Sequence, residues 1–118
     1  EPVTIDFIET LSRSNEEIVT AVRAASERDQ KIADEVSDQL EKIITTQKQC
    51  QDFLLRQDKD IQVINDAVQA NIAANISLRD YFRKNKQWQL ADMIRAKLEE
   101  AGIVLEDTPQ GTVWRRKR

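Results

Sequence analysis

The sequence predicts a mainly α fold, with a long helical stem (a coiled coil or a slender bundle), then a short helical segment and a C-terminal β-hairpin. The first observation is that Pro2, Gly102, Pro109 and Gly111 are the only prolines and glycines, so residues 3–101 contain neither. Sandwiches, barrels and βαβ folds need turns about every dozen residues, which such a stretch does not supply. The second observation is that only 5% of the 118 residues are aromatic, which favours a thin core.

The stem opens with a lead-in over residues 1–14. Ser14 and Glu17 have the spacing of a capping box, in which a hydroxyl and a carboxylate each bind a free backbone N–H, so a helix start is predicted there. Apolar residues then recur in steps of three and four, as in a heptad seam. This first seam comprises Ile18, Val22, Ala25, Ile32, Val36 and Ile43.

A second seam begins around residues 40–44 and is interrupted by amide side chains. It comprises Ile44, Gln47, Leu54, Ile61, Val68, Ile72 and Asn75. Narrow seams of this kind are typical of coiled coils and slender bundles, in which buried amides set register and oligomeric state. One uninterrupted helix over residues 15–76 would be about 90 Å long and would need a partner for its apolar stripe.

Two arrangements supply that partner. We favour a homo-oligomer formed through residues 15–76, and the alternative is a fold-back within one chain. Asparagine, aspartate, serine and glutamine can also form helix corners, and the corner is predicted at residues 45–47, where the seams change. Cys50 lies near the seam and is interpreted as a small core residue.

The terminal elements follow from about Ser77. Asn85 is predicted to end one helix in the left-handed conformation, and residues 88–101 to form another helix that Gly102 closes. Residues 103–107 and 112–115 then form a hairpin. Its turn, residues 108–111, has proline at the second position and glycine at the fourth, as in a type I-based turn.

Charge divides the chain into two predicted domains. Residues 1–76 carry eight Lys/Arg and fifteen Asp/Glu, whereas residues 77–118 carry ten and six, within a total net charge of −3. An acidic stem followed by a basic segment indicates an anionic partner for the basic end. No apolar run approaches the roughly 20 residues of a membrane span, and no signal peptide is recognised, so a cytoplasmic location is expected.

Composition also excludes common catalytic sites. The chain has no histidine and one cysteine, so it cannot form a Ser-His-Asp triad, an HExxH zinc site or a thiolate cage. We therefore predict no catalytic residue, no metal site and no cofactor within these 118 residues.

The helix predicted at residues 88–101 places Trp88, Asp92 and Arg95 on one face. An aromatic ring, a carboxylate and a guanidinium in line can stack on an unpaired RNA base and hydrogen-bond its edge. The alternative interpretation is a surface ion pair between Asp92 and Arg95, with Trp88 packed against the hairpin.

The terminal segment contains YFRKNKQWQLADMIRAKL at residues 81–98 and EEAGIVLEDTPQGTVWRR at residues 99–116. With these two stretches, residues 77–118 resemble the C-terminal end of bacterial cysteinyl-tRNA synthetases. The pattern typical of that family is a helix with R-x-A/N-K-x-W/F-x-x-A-D-x-I/A-R-x-x-L, then G-I-x-L-E-D-x-P-x-G-T-x-W-R. Gln87 occupies a position where an acidic helix cap is common in the family.

The resemblance implies a tRNA-binding module that contacts the GCA anticodon of cysteine tRNA. By position, Arg83, Asp92 and Asp107 are implied to read bases, with Trp88 as the aromatic residue beside the anticodon. The implied phosphate contacts are Lys84, Lys86, Arg95, Arg115, Arg116, Lys117 and Arg118. Two alternatives remain: a structural coiled-coil protein whose tail is a protein-docking cap, and a fragment of a full class I ligase. Residues 1–76 contain no HIGH-like or KMSKS-like motif.

Overall fold

The computed structural model describes residues 3–56 and 61–117 and confirms the mainly α fold. The elements in chain order are α1 (Ile5–Arg28), α2 (Gln30–Arg56), α3 (Ile61–Lys84), α4 (Trp88–Glu100), β1 (Ile103–Thr108) and β2 (Gly111–Arg116). Helix α2 packs against α1 and α3, and α4 packs against α3 and α1. The four helices therefore form a closed ring, a slender bundle measuring 41 × 30 × 21 Å.

Helix α1 begins earlier than the sequence predicts. Thr4 caps it, because its Oγ1 accepts a hydrogen bond from the Phe7 N–H at 3.1 Å. Ser14 lies within the helix, so the predicted capping box is wrong. The Ser14 hydroxyl instead donates to the Lys97 carbonyl at 2.9 Å, and Glu17 pairs with the Lys97 ammonium at 2.6 Å. The two residues attach α1 to α4.

The first chain reversal is at Asp29, between α1 and α2. Its backbone is extended, its N–H donates to the Ala25 carbonyl, and its carboxylate accepts from the Lys31 N–H at 3.0 Å. The corner predicted at residues 45–47 is wrong, since α2 is continuous there. One aspartate closes the first helix and caps the second, so no glycine is needed.

The first seam is confirmed, because all six of its residues are buried. The second is confirmed only toward its end, where Val68, Ile72 and Asn75 are buried, while Ile44 and Ile61 are exposed. The difference arises because α2 already buries the stripe that contains Ile43, which turns the neighbouring Ile44 toward solvent. Cys50 is buried in α2, and desolvation by burial raises the pKa of its thiol to about 11.

A polar layer crosses the middle of the bundle. The Asn71 amide of α3 donates to Asn15 Oδ1 of α1 at 2.9 Å and to Thr46 Oγ1 of α2 at 2.9 Å. Asn75 donates to the same Asn15 oxygen at 3.2 Å. These side chains are buried, and their mutual bonds are possible in one helix register, so the layer fixes how three helices align.

The terminal elements match the prediction closely. The left-handed residue before α4 is Lys86, with φ 59°, rather than Asn85. Gly102, with φ 86°, follows the last turn of α4 and donates its N–H to the Glu99 carbonyl at 2.9 Å. The hairpin pairs Thr108 with Gly111 around a two-residue loop, and β1 buries Ile103 and Leu105 against the helices.

The division proposed at residues 76 and 77 falls inside α3 and stays a prediction about charge and resemblance. One hydrophobic core joins buried residues on both sides of it, from Ile8 in α1 to Leu105 in β1. Within the part of the chain that the structure describes, no helix is long and apolar enough to cross a bilayer.

Candidate functional site

Helix α3, helix α4 and the hairpin meet at one carboxylate, that of Asp107 near the end of β1. Arg79 of α3 donates two hydrogen bonds to it, Nη1 to Oδ1 at 3.0 Å and Nη2 to Oδ2 at 2.8 Å. Thr112 of β2 donates its hydroxyl to Oδ1 at 2.8 Å. A planar guanidinium matches a carboxylate in this two-bonded geometry, which orders both groups.

Two further arginines reach the same carboxylate from opposite sides. Arg83 of α3 places Nη1 3.3 Å from Oδ1, and Arg95 of α4 places Nη1 3.4 Å from Oδ2. Arg95 also donates to the Leu105 carbonyl at 2.9 Å. We call these five residues the arginine junction: Arg79, Arg83, Arg95, Asp107 and Thr112. Asp80 contacts Arg79 at 3.7 Å and Glu99 contacts Arg95 at 3.8 Å, so three carboxylates balance the three guanidiniums here.

The electrostatics of the junction follow from these contacts. Hydrogen bonds from Arg79, then from Thr112, hold the pKa of Asp107 well below its usual range. The same bond to Asp107 raises the pKa of Arg79 above its ordinary value. Asp107 is therefore ionised throughout the physiological range, with both oxygens engaged by donors.

Trp88 and Asp92 lie in the first turns of α4. The Trp88 side chain is a large exposed apolar surface, with the residue 55% accessible, and Asp92 is also exposed. Arg95 pairs with Asp107 and, at 3.8 Å, with Glu99, so the alternative Asp92–Arg95 ion pair is not formed. It is Trp114 of β2, rather than Trp88, that packs against the core.

The predicted phosphate contacts separate into two groups. Lys84 and Lys86 are exposed at the end of α3 and in the turn before α4. In the hairpin, Arg115 pairs with Glu106 at 3.0 Å, and the Arg116 guanidinium lies 4.2 Å from the centre of the Phe7 ring. Lys117 is exposed, and Arg118 lies outside the described residues.

Several proteins with similar sequences are cysteine–tRNA ligases. The cysteine–tRNA ligase of Vibrio parahaemolyticus serotype O3:K6 is 58% identical over 53 residues, or 45% of this chain and 12% of the ligase. That of Vibrio vulnificus strain CMCP6 is 52% identical over 68 residues, 54% of this chain and 15% of the ligase. That of Photorhabdus laumondii is 51% identical over 71 residues, 60% of this chain and 14% of the ligase.

The chain resembles cysteine–tRNA ligases. The matched stretches, 53 to 71 residues long, exceed the 42 residues of segment 77–118, so the ligase similarity is not limited to that segment. The chain spans only 12 to 15% of the length of these ligases. No protein-family model matches the chain, and no solved structure matches it significantly.

Sequence reasoning missed Arg79, the most buried residue of the arginine junction. Neither the motif spacing nor the resemblance assigns a role to Arg79, and its side chain is only 4% exposed. Its position four residues before Arg83 could have placed both on one face of α3. No spacing rule pairs that face with Asp107, which is 28 residues further along the chain. Among the described residues, no cluster of acidic or cysteine side chains is placed to hold a metal ion.

Proposed function

We propose that this chain is a noncatalytic tRNA-binding module that recognises the anticodon end of cysteine tRNA. The observation that carries the proposal is the similarity to cysteine–tRNA ligases at more than 50% identity, in a chain that exposes Trp88 on α4, the helix that also carries Arg95 of the arginine junction. Ligation itself lies outside the proposal, because the chain covers so small a share of those ligases.

Each exposed residue has a role that its chemistry suits. The Trp88 ring offers a flat face on which an unpaired base stacks, as aromatic residues do in many single-strand RNA sites. Asp92 accepts hydrogen bonds from amino groups of bases, and the Arg83 guanidinium donates to acceptor edges such as guanine O6 and N7. Asp107 contributes through the arginines it holds, since both of its oxygens already accept hydrogen bonds.

Phosphate contacts complete the proposed interface. Lys84 and Lys86 both precede Trp88 in the sequence and are exposed. We assign them, with Arg95 and the basic residues 115–118, to the RNA backbone. Binding through such cations releases counterions, so affinity will fall steeply as salt rises.

A fluorescence titration tests the proposal. Trp114→Phe leaves Trp88 as the single tryptophan, so its emission reports directly on stacking. Cysteine tRNA should quench this emission saturably at moderate salt, and a transcript with an exchanged anticodon should bind at least tenfold more weakly. Saturable binding that ignores the anticodon would remove the anticodon assignment. No binding would remove the whole proposal.

A second candidate, a structural protein that self-assembles through residues 15–76, has one observation in its favour. Ile44 is 38% exposed and lies in the groove between α1 and α2, next to Val19 and Leu40. If this groove joins two copies, light scattering will give a dimer mass, and Ile44→Lys will return a monomer. A monomeric wild-type chain at high micromolar concentration would exclude this candidate.

A further inference from the structure

Arg79 is a charged residue in a place where charge is costly. Its side chain is only 4% exposed, whereas those of Arg83, Arg95 and Asp107 are 43%, 38% and 37% exposed. A buried guanidinium is tolerated only when its donors are matched by acceptors. Here the two bonds to Asp107 supply that match, together with a weaker contact to Asp80 at 3.7 Å.

The contacts form a chain from the interior to the surface. Arg79 is fixed in α3 by packing, and its paired bonds fix the plane of the Asp107 carboxylate. Thr112, on the neighbouring strand β2, donates its hydroxyl to Oδ1 of the same carboxylate at 2.8 Å. With the carboxylate held, Oδ1 faces Arg83 and Oδ2 faces Arg95, so each exposed guanidinium has a defined partner.

Arg83 keeps most of its donors free for a ligand, whereas Arg95 already contacts acceptors through all three of its nitrogens. A guanidinium has five N–H donors, and Arg83 uses one nitrogen on Asp107. Without the carboxylate, two like charges approaching from α3 and α4 would repel, and both flexible side chains would spread into solvent. Binding would then require their immobilisation, at a cost of about 0.5–1.5 kcal/mol for each side chain.

We propose that Arg79 is a positioning residue for RNA binding: it does not touch the RNA, and it orients Arg83 and Arg95 through Asp107. This inference rests on the proposed RNA-binding function. On this inference Arg79, the most buried arginine among the described residues 77–117, contributes to RNA binding as well as to the stability of the fold.

A double-mutant cycle on the full chain tests the proposal. Arg79→Lys keeps the charge but cannot form the two-bonded pair. We expect it to weaken binding of cysteine tRNA about tenfold, and Arg83→Gln to do about the same. In the Arg79→Lys background, Arg83→Gln should cost less than threefold, because Arg83 is no longer oriented there. Arg23→Lys, an exposed arginine of α1, is the matched control and should change affinity less than twofold.

Salt dependence separates positioning from a structural role. If Arg79→Lys frees both exposed arginines from the interface, the slope of log K against log salt should become shallower by about 0.7, for the one phosphate contact assigned to Arg95. A variant that only lowers the folded fraction leaves this slope unchanged. Circular dichroism under the binding conditions establishes the folded fraction.

The outcomes are distinguishable. Additive losses in the cycle, or an unchanged salt slope, would overturn the positioning role while leaving RNA binding intact. No binding by the wild-type chain would overturn the proposed function and this inference with it. If Arg79→Lys does not fold, Thr112→Val takes its place in the cycle. It removes one bond to Asp107, and it should weaken binding threefold in the wild-type chain and not at all with Arg83→Gln.

Discussion

At the scale of single residues, partners outweigh residue type in deciding what a side chain can do. Asp92 and Asp107 look equivalent in the sequence, as two acidic residues in one ligase-like segment. In the structure Asp92 is exposed, while Asp107 is bound by Arg79 and Thr112. The family resemblance implies the same base-reading role for both carboxylates. It does not predict which carboxylate is available, because that depends on pairing between α3 and β1.

Because Trp88 is exposed, replacing it should affect tRNA binding more than the stability of the fold. Trp88→Ala should weaken tRNA binding by about 1–3 kcal/mol, the contribution of one stacked base. It should change the free energy of unfolding by less than about 0.5 kcal/mol, because the ring is largely in solvent. Anisotropy with labelled tRNA and a urea titration measure the two quantities. Equal losses in both would contradict a role in stacking.

The lowered pKa of Asp107 makes its contribution to stability depend on pH. A carboxyl whose pKa is lower in the folded state stabilises the protein above its unfolded pKa of about 3.9, and this contribution disappears as pH falls through the folded value. Asp107→Asn should cost about 2 kcal/mol at pH 7, since charge-assisted bonds to Arg79 are lost. Urea titrations at pH 7 and pH 3 should show the difference from wild type shrinking at the lower pH. Glu106→Gln, on the neighbouring exposed residue, is the control.

At the scale of elements, the sequence predicts where helices lie better than where they begin. The Gly102 helix end and the hairpin could be predicted because glycine and proline mark them, and the start of α4 followed from Asn85, one residue before the observed left-handed Lys86. The boundaries of α1 were not, because threonine and aspartate mark them and those residues occur throughout the stem. Ser14 and Glu17 have the spacing of a cap, but they bind Lys97 across the bundle.

Helix α1 offers a direct test of its observed start. Thr4→Ala removes the side-chain acceptor of the Phe7 N–H and should cost about 1 kcal/mol. Hydrogen exchange should quicken selectively at the first-turn amides of residues 5–8. Ser14→Ala is the comparison: it should destabilise the contact with α4 without changing exchange in that first turn. Protection beginning only after residue 14 in the wild type would contradict this helix boundary.

At the scale of the whole molecule, the polar layer explains how a thin core specifies one arrangement. The sequence shows Gln47 and Asn75 within an apolar seam, a pattern equally suited to an oligomeric coil. The structure pairs Asn15, Asn71 and Asn75 within one chain, together with Thr46. Fold-back could not be chosen over self-association from the pattern alone, because both bury the same stripe. The chain reverses direction at Asp29, where no glycine marks the turn, and this reversal determines the path of the chain.

Removing the centre of that layer should destabilise the whole bundle. Asn71→Ala leaves Asn15 and Thr46 short of a donor in a buried site and should cost about 2–3 kcal/mol. Gln69→Ala, at an exposed position of the same helix, should cost less than about 0.5 kcal/mol. Urea titrations followed by circular dichroism measure both. Equal effects would show that the layer has no special role.

The buried thiol of Cys50 in α2 can report on opening of the bundle, because the continuous helix α3 connects the bundle to the arginine junction. One helix carries Asn71 in the bundle and Arg79 at the junction, so the two ends lose structure together. Cys50 can react with a thiol reagent only when the bundle opens, and a ligand at the far end lowers the fraction of open molecules by mass action. At a tRNA concentration 100 times the dissociation constant, labelling of Cys50 should slow about 100-fold. The wild-type chain thus carries its own probe of events at the distant end of the molecule.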